Sequence, residues 1–326
     1  MLKIAFRVST LKKFGNGHIN RCLSIRSYID GEVSWFIDNS KLDIRSIFPP
    51  LDKVFIEENE NSCFNLIDQA KNNNIKTILV DSYNINNDIK NQLSKNFSVI
   101  LLEDEDCLLK ADMIICPQPI KNFNNNNIKY YGPIYAPISS QFKRKPKENI
   151  KSLKINHILI SMGYIDTKGV TLGIITSIMN KFDSSFKVTI VLGKYAPHIK
   201  DIKEKIKPYS NFKLIIEPNN MNAIYHNNNI ALGAPGLSHL ERLFVGLPTI
   251  LIPQNKSHSI LIKQWEDLEC CIQAKNTIFS IQRAIKKLIS SNDLRHNIIS
   301  KGQNLVDGLG TKRIAKEIMK LLKKND

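Results

Sequence analysis

The sequence predicts an α/β protein with two similar domains, each built on a parallel sheet. The chain has 326 residues, more than one domain usually holds. In both halves short apolar strands alternate with helical stretches, which is typical of parallel sheets covered on both faces. A basic segment with a proline, residues 143–154, separates the two runs and indicates a linker. We expect domains at residues 1–145 and 155–326, with a ligand cleft between them.

Runs rich in β-branched and aromatic residues indicate the strands of the first half. They lie at residues 4–6, 33–37, 54–56, 76–80, 99–102 and 113–116. Helices are expected from Ile19 to Ile29, around residues 64–67, and from about Asn86 to Leu93.

The second half repeats this alternation. Its strands are expected at residues 157–160, 188–192, 212–216, 230–232 and 249–252. A helix from about Gly169 to Asn180 follows the first of them, and an amphipathic helix from Thr311 to Leu322 closes the chain. That last helix is a candidate to pack back on the N-terminal domain.

Composition narrows the class of protein. Hydrophobic residues make up 42% and charged residues 23%, as in globular proteins, and no apolar run has the length of a membrane span. The first residues enter a strand without a signal-peptide core, so we expect a cytoplasmic protein. The six cysteines form no C-x-x-C pair and predict neither a metal site nor a disulfide framework.

The formal net charge of +16 comes from 46 Lys and Arg against 30 Asp and Glu. Such a charge can indicate nucleic-acid binding. Here the lysines are spread along the chain, without an aromatic RNA motif or a helix-turn-helix signature, so we favour compositional drift and expect no nucleic-acid partner. A positive surface would also attract an anionic small molecule.

The first candidate site is the glycine turn Gly15-Asn16-Gly17-His18, between the first strand and its helix. Glycines allow unusual dihedrals and a close approach to a ligand. The helix start points free N–H groups and a positive dipole at that ligand, which suits phosphate. His18 is the only one of seven histidines in such a setting and is our candidate catalytic residue. The alternative is a cap or surface histidine on a turn that binds nothing.

The second candidate site is the turn Gly233-Ala234-Pro235-Gly236, which also joins a strand to a helix. In one interpretation the Ser238 hydroxyl caps the helix and Glu241 completes a capping box. In the other, free amides hold a pyrophosphate and Glu241 accepts hydrogen bonds from ribose hydroxyls, because a carboxylate can accept two at once. His239 is expected to be a surface or packing residue.

Polar residues follow two further strands of the first half, as Asp81-Ser82-Tyr83 and Glu103-Asp104. Ligands of parallel sheets bind at the carboxyl ends of the strands. These residues and the first glycine turn can therefore share one cleft.

Several motifs occur in a recognisable order. They are Phe6-Arg7, Gly15-x-Gly17-His18-x-x-Arg21-Cys22-Leu23, Val80-Asp81-x-Tyr83, Gly163-x-x-Asp166, Gly233-Ala234-x-Gly236-x-Ser238-x-x-Glu241, Gly246-Leu247-Pro248 and Asp307-Gly308-x-Gly310. Over nearly the whole chain this resembles the PseG family, hydrolases of a UDP-linked diacetamido-trideoxy sugar in pseudaminic acid synthesis. It is also similar to the SpsG-type proteins and the MurG glycosyltransferases.

The resemblance implies a GT-B fold, two Rossmann-like domains with the nucleotide held mainly by the C-terminal one. It implies metal-independent release of UDP, without a cofactor, by water that His18 activates, with Tyr83 in the sugar pocket and Glu241 on the ribose. The remaining substrate-binding or nucleotide-binding residues it implies are Gly17, Arg21, Gly163, Asp166, Ala234, Gly236, Leu237 and Ser238.

The chain departs from the family pattern at five places. Ser9 stands where an aspartate is expected, Glu103 replaces the first of two aspartates, Tyr164 replaces a glycine, Ser139 replaces an arginine, and Lys256-Ser257-His258 replaces a Glu-Asn-Gln run. These changes fall mainly at sugar-facing positions and leave the sugar undetermined.

Three functions are therefore carried forward: a UDP-sugar hydrolase, a GT-B glycosyltransferase in which His18 deprotonates an acceptor, and a nucleotide-sugar-binding protein without turnover. The sequence leaves the oligomeric state open.

Overall fold

The computed structural model describes residues 2–10, 17–38, 45–57, 62–82, 85–104, 111–119, 129–146, 155–166, 168–179, 182 and 185–325. The chain forms two compact units. The first is Met1–Ser139 together with Gly308–Asp326, and the second is Ser140–Asp307. Residues 140–145, expected in the N-terminal domain, therefore belong to the second unit.

The first unit contains a parallel seven-stranded sheet. Its strands are β1 (Lys3–Val8), β2 (Glu32–Asp38), β3 (Lys53–Glu57), β4 (Thr77–Asp81), β5 (Ser98–Leu102), β6 (Met113–Cys116) and β7 (Lys129–Tyr131). Their order is β3-β2-β1-β4-β5-β6-β7, so the progression of strands reverses between β1 and β4. Sheets of this kind bind ligands at such a reversal, beyond the carboxyl ends of the strands.

Helices cover both faces of this sheet. They are α1 (Gly17–Arg26), α2 (Phe64–Asn72) and α3 (Asn87–Asn96), with short 3-10 helices at Arg45–Ile47 and Pro133–Tyr135. Helix α1 ends three residues before the expected Ile29. The amides of Tyr28 and Ile29 there donate to carbonyls only three residues back, which tightens and closes the last turn.

The core of the first unit lies on the two faces of the sheet. Alternate residues of β1 point to opposite faces. Ile4 and Phe6 share one apolar cluster with Ile25 of α1, whereas Ala5 shares the other with Leu66 of α2. Burial on both faces explains why the strands read as continuous apolar runs.

The second unit contains a parallel six-stranded sheet. Its strands are β8 (His157–Ser161), β9 (Lys187–Leu192), β10 (Phe212–Ile216), β11 (Ile230–Gly233), β12 (Thr249–Leu251) and β13 (Ile272–Gln273). The order is β10-β9-β8-β11-β12-β13, and the progression reverses between β8 and β11. Every strand expected from the sequence is present. The short β7 and β13 are additional.

Seven helices of the second unit are described. They are α4 (Val170–Met179), α5 (Ile199–Ile206), α6 (Met221–His226), α7 (Leu237–Val245), α8 (Lys256–Asp267), α9 (Ile278–Ser290) and α10 (Asn292–Leu305). Ile158 and Ile160 of β8 share an apolar core with Ile174 of α4 and Ile285 of α9. Helix α7 directly follows β11, so its first turn stands at the strand reversal.

The chain ends in α11 (Gly310–Asn325), which packs in the first unit. Ile314 and Ile318 join the apolar cluster that α1 covers. A Cβ on Gly310 would lie 2.6 Å from the backbone nitrogen of Ala136, so only glycine fits this close approach. Within the described residues, no helix combines the length and apolarity needed to cross a membrane.

Candidate functional site

A buried polar cluster lies at the strand reversal of the first unit. It consists of His18 and Arg21 from α1, Asp81 at the end of β4 and Asp104 after β5, and is called the His18 cluster below. His18 is 4% exposed and Asp81 is fully buried. The register of the parallel strands thus joins residues that are more than 60 positions apart in sequence.

Asp81 is the centre of the His18 cluster. Its Oδ1 lies 2.5 Å from His18 Nδ1. Arg21 donates from Nε to Oδ2 at 2.7 Å and from Nη2 to Oδ1 at 2.6 Å. Its Nη1 lies 2.9 Å from both carboxylate oxygens of Asp104. The Cys22 thiol donates to Asp81 Oδ2 at 3.3 Å.

These contacts keep Asp81 ionised. Burial alone would raise the pKa of its carboxyl, but the charge of Arg21 and the hydrogen bonds from Arg21 and His18 lower that pKa far below its ordinary value. Burial raises the pKa of Cys22, which stays a neutral donor. An ionised acceptor on Nδ1 favours the imidazole tautomer with its proton on Nδ1 and its lone pair on Nε2.

Arg21, which the sequence predicts among the substrate-binding or nucleotide-binding residues, donates to Asp81 and Asp104 and thereby connects the two carboxylates. Its contact with a substrate stays a prediction. Gly17 begins α1, and a Cβ at this position would meet no described atom within 4 Å. Tyr83 and Gly15 lie outside the described residues.

Asp38 supplies a carboxylate beside the departure at Ser9. Its Oδ2 accepts the Ser9 hydroxyl and the Thr10 amide, each at 2.9 Å. Its Oδ1 accepts Arg7 Nη2 at 2.6 Å. Asp38 of β2 therefore places a carboxylate next to Ser9, the position at which the family pattern has an aspartate.

At a second departure, Glu103 pairs with Lys90 of α3 at 2.8 Å. Burial raises the pKa of the Glu103 carboxyl, and the Lys90 charge opposes this rise.

The candidate site of the second unit is the loop before α7. Gly236 is the N-cap of α7, and no described side chain caps this helix. The first amides of an α-helix have no intrahelical acceptor. The capping box expected for Ser238 and Glu241 is therefore wrong: the helix begins at Leu237, and the Ser238 hydroxyl lies 3.3 Å from Arg242 Nη1.

Helix α4, which follows the other strand at the reversal, is capped. The Asp166 carboxylate accepts the amides of Val170 at 3.0 Å and Thr171 at 2.9 Å. Asp166, expected in nucleotide binding, thus uses both oxygens to cap the first turn of α4. Gly163 bends that loop with a φ of +97°, a conformation that side chains rarely adopt.

Arg242 lies fully buried beneath the glycine loop, and the sequence reasoning assigned it no role. Its Nη2 donates to the Ala234 carbonyl at 2.8 Å. A Cβ on Gly233 would meet the guanidinium at 2.7 Å, so any side chain there would have to displace Arg242. One signal for a buried role of this arginine was its place three residues after His239, on the helix face that the other buried residues share.

Glu241 accepts the Tyr225 hydroxyl on Oε2 at 3.0 Å. Burial raises the pKa of its carboxyl to about 7, against the lowering influence of Tyr225 and Arg242. His239 is a packing residue: it is fully buried, with its ring edge-to-face to Trp265 at 4.9 Å.

Tyr164 is the third departure from the family pattern. Its hydroxyl donates to Glu217 Oε1 at 2.7 Å. Its ring lies so close to Gly193 that a Cβ there would clash at 2.5 Å.

Across the described part of the chain, no group of three His, Cys, Asp or Glu side chains is arranged to hold a metal ion.

Comparison with known proteins gives distant relatives in sequence. No family model matches the chain. An alignment of 283 residues, which covers 78% of this chain, gives 24% identity to uncharacterized protein MJ1062 of Methanocaldococcus jannaschii. An alignment of 194 residues, which covers 57% of this chain, gives 23% identity to spore coat polysaccharide biosynthesis protein SpsG of Bacillus subtilis. The matched region spans 56% of the length of each relative.

Solved structures match almost the entire chain. The S. aureus MnaA–UDP structure superposes with a TM-score of 0.69 at 14% identity, covering 99% of this chain and 97% of that one. Acinetobacter baumannii MurG gives 0.67 at 12%, covering 98% and 99%. The calicheamicin glycosyltransferase CalG4 gives 0.67 at 12%, covering 99% and 98%. Together with the two parallel sheets, these matches confirm the predicted fold class: two Rossmann-like α/β domains of the GT-B type.

Proposed function

We propose that the protein is an enzyme that cleaves the sugar–phosphate bond of a UDP-linked sugar, with His18 as general base. The observation that carries this proposal is the 2.5 Å contact between His18 Nδ1 and Asp81 Oδ1. A histidine held by an ionised carboxylate is a competent base near neutral pH. Such bases usually contribute about a hundredfold to ten-thousandfold to rate.

In the proposed reaction, His18 Nε2 takes a proton from a hydroxyl group. The oxygen of that group forms a bond to the anomeric carbon as the bond from this carbon to the diphosphate breaks, and UDP leaves with the electron pair. The second unit supplies the nucleotide site: the amides at the start of α7 face the diphosphate, and Glu241 accepts from the ribose. UDP in the MnaA structure is a feature of a protein with this fold and supports the choice of nucleotide.

We favour transfer to an acceptor hydroxyl over hydrolysis, because a glycosyltransferase is among the proteins that share this fold over 99% of the chain. Hydrolysis is the second candidate, since the sequence motifs resemble those of the PseG hydrolases. The match to SpsG supports polysaccharide synthesis as the setting. The place of the reaction in pseudaminic-type acid synthesis belongs to the hydrolase candidate.

The test is UDP release from a panel of UDP-amino sugars, with and without sugar acceptors, using His18→Ala as the control. Release that needs an acceptor establishes transfer, and release without one establishes hydrolysis. His18→Ala should lose turnover by at least about a hundredfold while retaining UDP affinity. UDP binding without release from any donor would support the binding protein instead, and wild-type turnover in His18→Ala would remove His18 from the mechanism.

A further inference from the structure

Glu241 presents its two carboxylate oxygens differently. Oε2 accepts the Tyr225 hydroxyl at 3.0 Å, whereas Oε1 makes no hydrogen bond within the described residues. Glu241 lies in the second turn of α7 and is only partly buried. Oε1 is therefore the acceptor that remains for a ligand at the start of this helix.

Tyr225 cannot move freely to follow the carboxylate. It is fully buried in α6, and its ring stacks on Phe142 with a centroid distance of 5.8 Å and an interplanar angle of 22°. Burial raises the pKa of its hydroxyl, and the nearby charge of Arg242 opposes this rise. Arg242, the residue after Glu241 in α7, donates to the Ala234 carbonyl of the glycine loop at 2.8 Å.

We propose that Tyr225 is a positioning residue that makes the nucleotide site selective for ribose over 2′-deoxyribose. The terminal torsion of a glutamate is broad, so an unanchored carboxylate samples many orientations. A buried donor on Oε2 fixes that torsion and keeps Oε1 facing the ligand. Hydrogen bonds to an ionised, oriented acceptor discriminate strongly against an analogue that lacks the donor.

This inference rests on the proposed nucleotide site and can fail separately from it. The experiment is isothermal titration of UDP and 2′-deoxy-UDP into wild type, Tyr225→Phe and Glu241→Gln. Tyr209→Phe is the matched control, because Tyr209 is 44% exposed in the same unit. Melting temperatures show that each variant is folded.

Wild type should prefer UDP by about 10- to 100-fold, the value of one hydrogen bond to a charged group. Tyr225→Phe should reduce this preference at least about fivefold, chiefly by weakening UDP binding, and Tyr209→Phe should leave it unchanged. In the Glu241→Gln background, Tyr225→Phe should change the preference no further.

A merely structural role for Tyr225 would weaken both ligands equally, so an unchanged preference in folded Tyr225→Phe overturns the inference. If Tyr225→Phe does not fold, Glu241→Gln decides: a retained preference for UDP overturns it, and a lost preference supports it. Wild type that binds both nucleotides equally overturns the inference but leaves the proposed function standing. Wild-type protein that binds neither UDP nor 2′-deoxy-UDP overturns both the inference and the proposed function.

Discussion

Replacement of Asp81 by asparagine separates the catalytic and structural roles of the His18 cluster. The side chain keeps its shape, but an amide NH2 replaces one acceptor oxygen. That oxygen faces donors in either orientation: His18 Nδ1 and Arg21 Nη2 at Oδ1, Arg21 Nε and Cys22 Sγ at Oδ2. At least one donor therefore loses its acceptor, and Arg21 loses a charged partner.

The expected loss of stability follows from this geometry. Removing one partner of a buried ion pair costs about 3–5 kcal/mol. Arg21 keeps both contacts to Asp104 at 2.9 Å, so we expect the lower end, about 3 kcal/mol. For a unit of this size the melting temperature should fall by about 6–12 °C. The effect should appear in calorimetry of the apo protein.

Asp81→Asn should also lose activity at temperatures where it is fully folded. Without an ionised acceptor on Nδ1, His18 no longer favours the tautomer that carries the lone pair on Nε2. UDP release should fall by about 10²- to 10⁴-fold at temperatures where the variant is folded, while UDP affinity stays near wild type. His18→Ala should lose a similar amount, and the double variant little more than either, because the pair acts as a unit.

The pH dependence gives a further check on Asp81. The pKa of this carboxyl is lower in the folded protein than in the unfolded chain, so its stabilisation is complete above the unfolded value of about 3.9 and is lost as pH falls below it. The difference in melting temperature between wild type and Asp81→Asn should therefore narrow below about pH 4. A folded Asp81→Asn variant with wild-type turnover would refute the assignment of His18 and Asp81 as a catalytic pair.

Three further predictions concern the second unit. Because the pKa of Glu241 is about 7 and its ionised form is the better acceptor, UDP affinity should rise as pH increases through 7. Glu241→Gln should remove that part of the rise which does not come from the nucleotide's own phosphate, and identical titration profiles for the two proteins would contradict the ribose role. Gly236→Ala should keep its melting temperature, since a Cβ there meets no described atom within 4 Å and the φ of −77° suits alanine, yet should bind UDP at least about tenfold more weakly if phosphate contacts the backbone. Gly233→Ala should lower both the melting temperature and the UDP affinity, because the added Cβ displaces Arg242. The displacement should cost about 1–3 kcal/mol of folding stability. Unchanged UDP affinity in Gly236→Ala would exclude diphosphate from this turn.

The strands were predictable because both faces of each sheet are buried. A strand such as β4 must then consist almost entirely of apolar residues, and that run is visible without any partner. The same reasoning misses β7 and β13, which have three and two residues and form only at a sheet edge that already exists. Helix caps were less predictable: Ser238 and Glu241 have the spacing of a capping box, but the glycine loop starts the helix at Leu237 and turns Glu241 towards Tyr225.

Residues that are close together in the chain were enough to predict the fold class, the glycine turn between β11 and α7, and the choice of His18 as a candidate catalytic residue. The partners of these residues emerge only in the folded chain. Asp81 is 63 positions from His18, and Asp104 is 83 from Arg21. Strand order and register bring these residues together at the carboxyl ends of the central strands. A buried charge is stable there only when it has such partners, because removing a charge from water costs free energy.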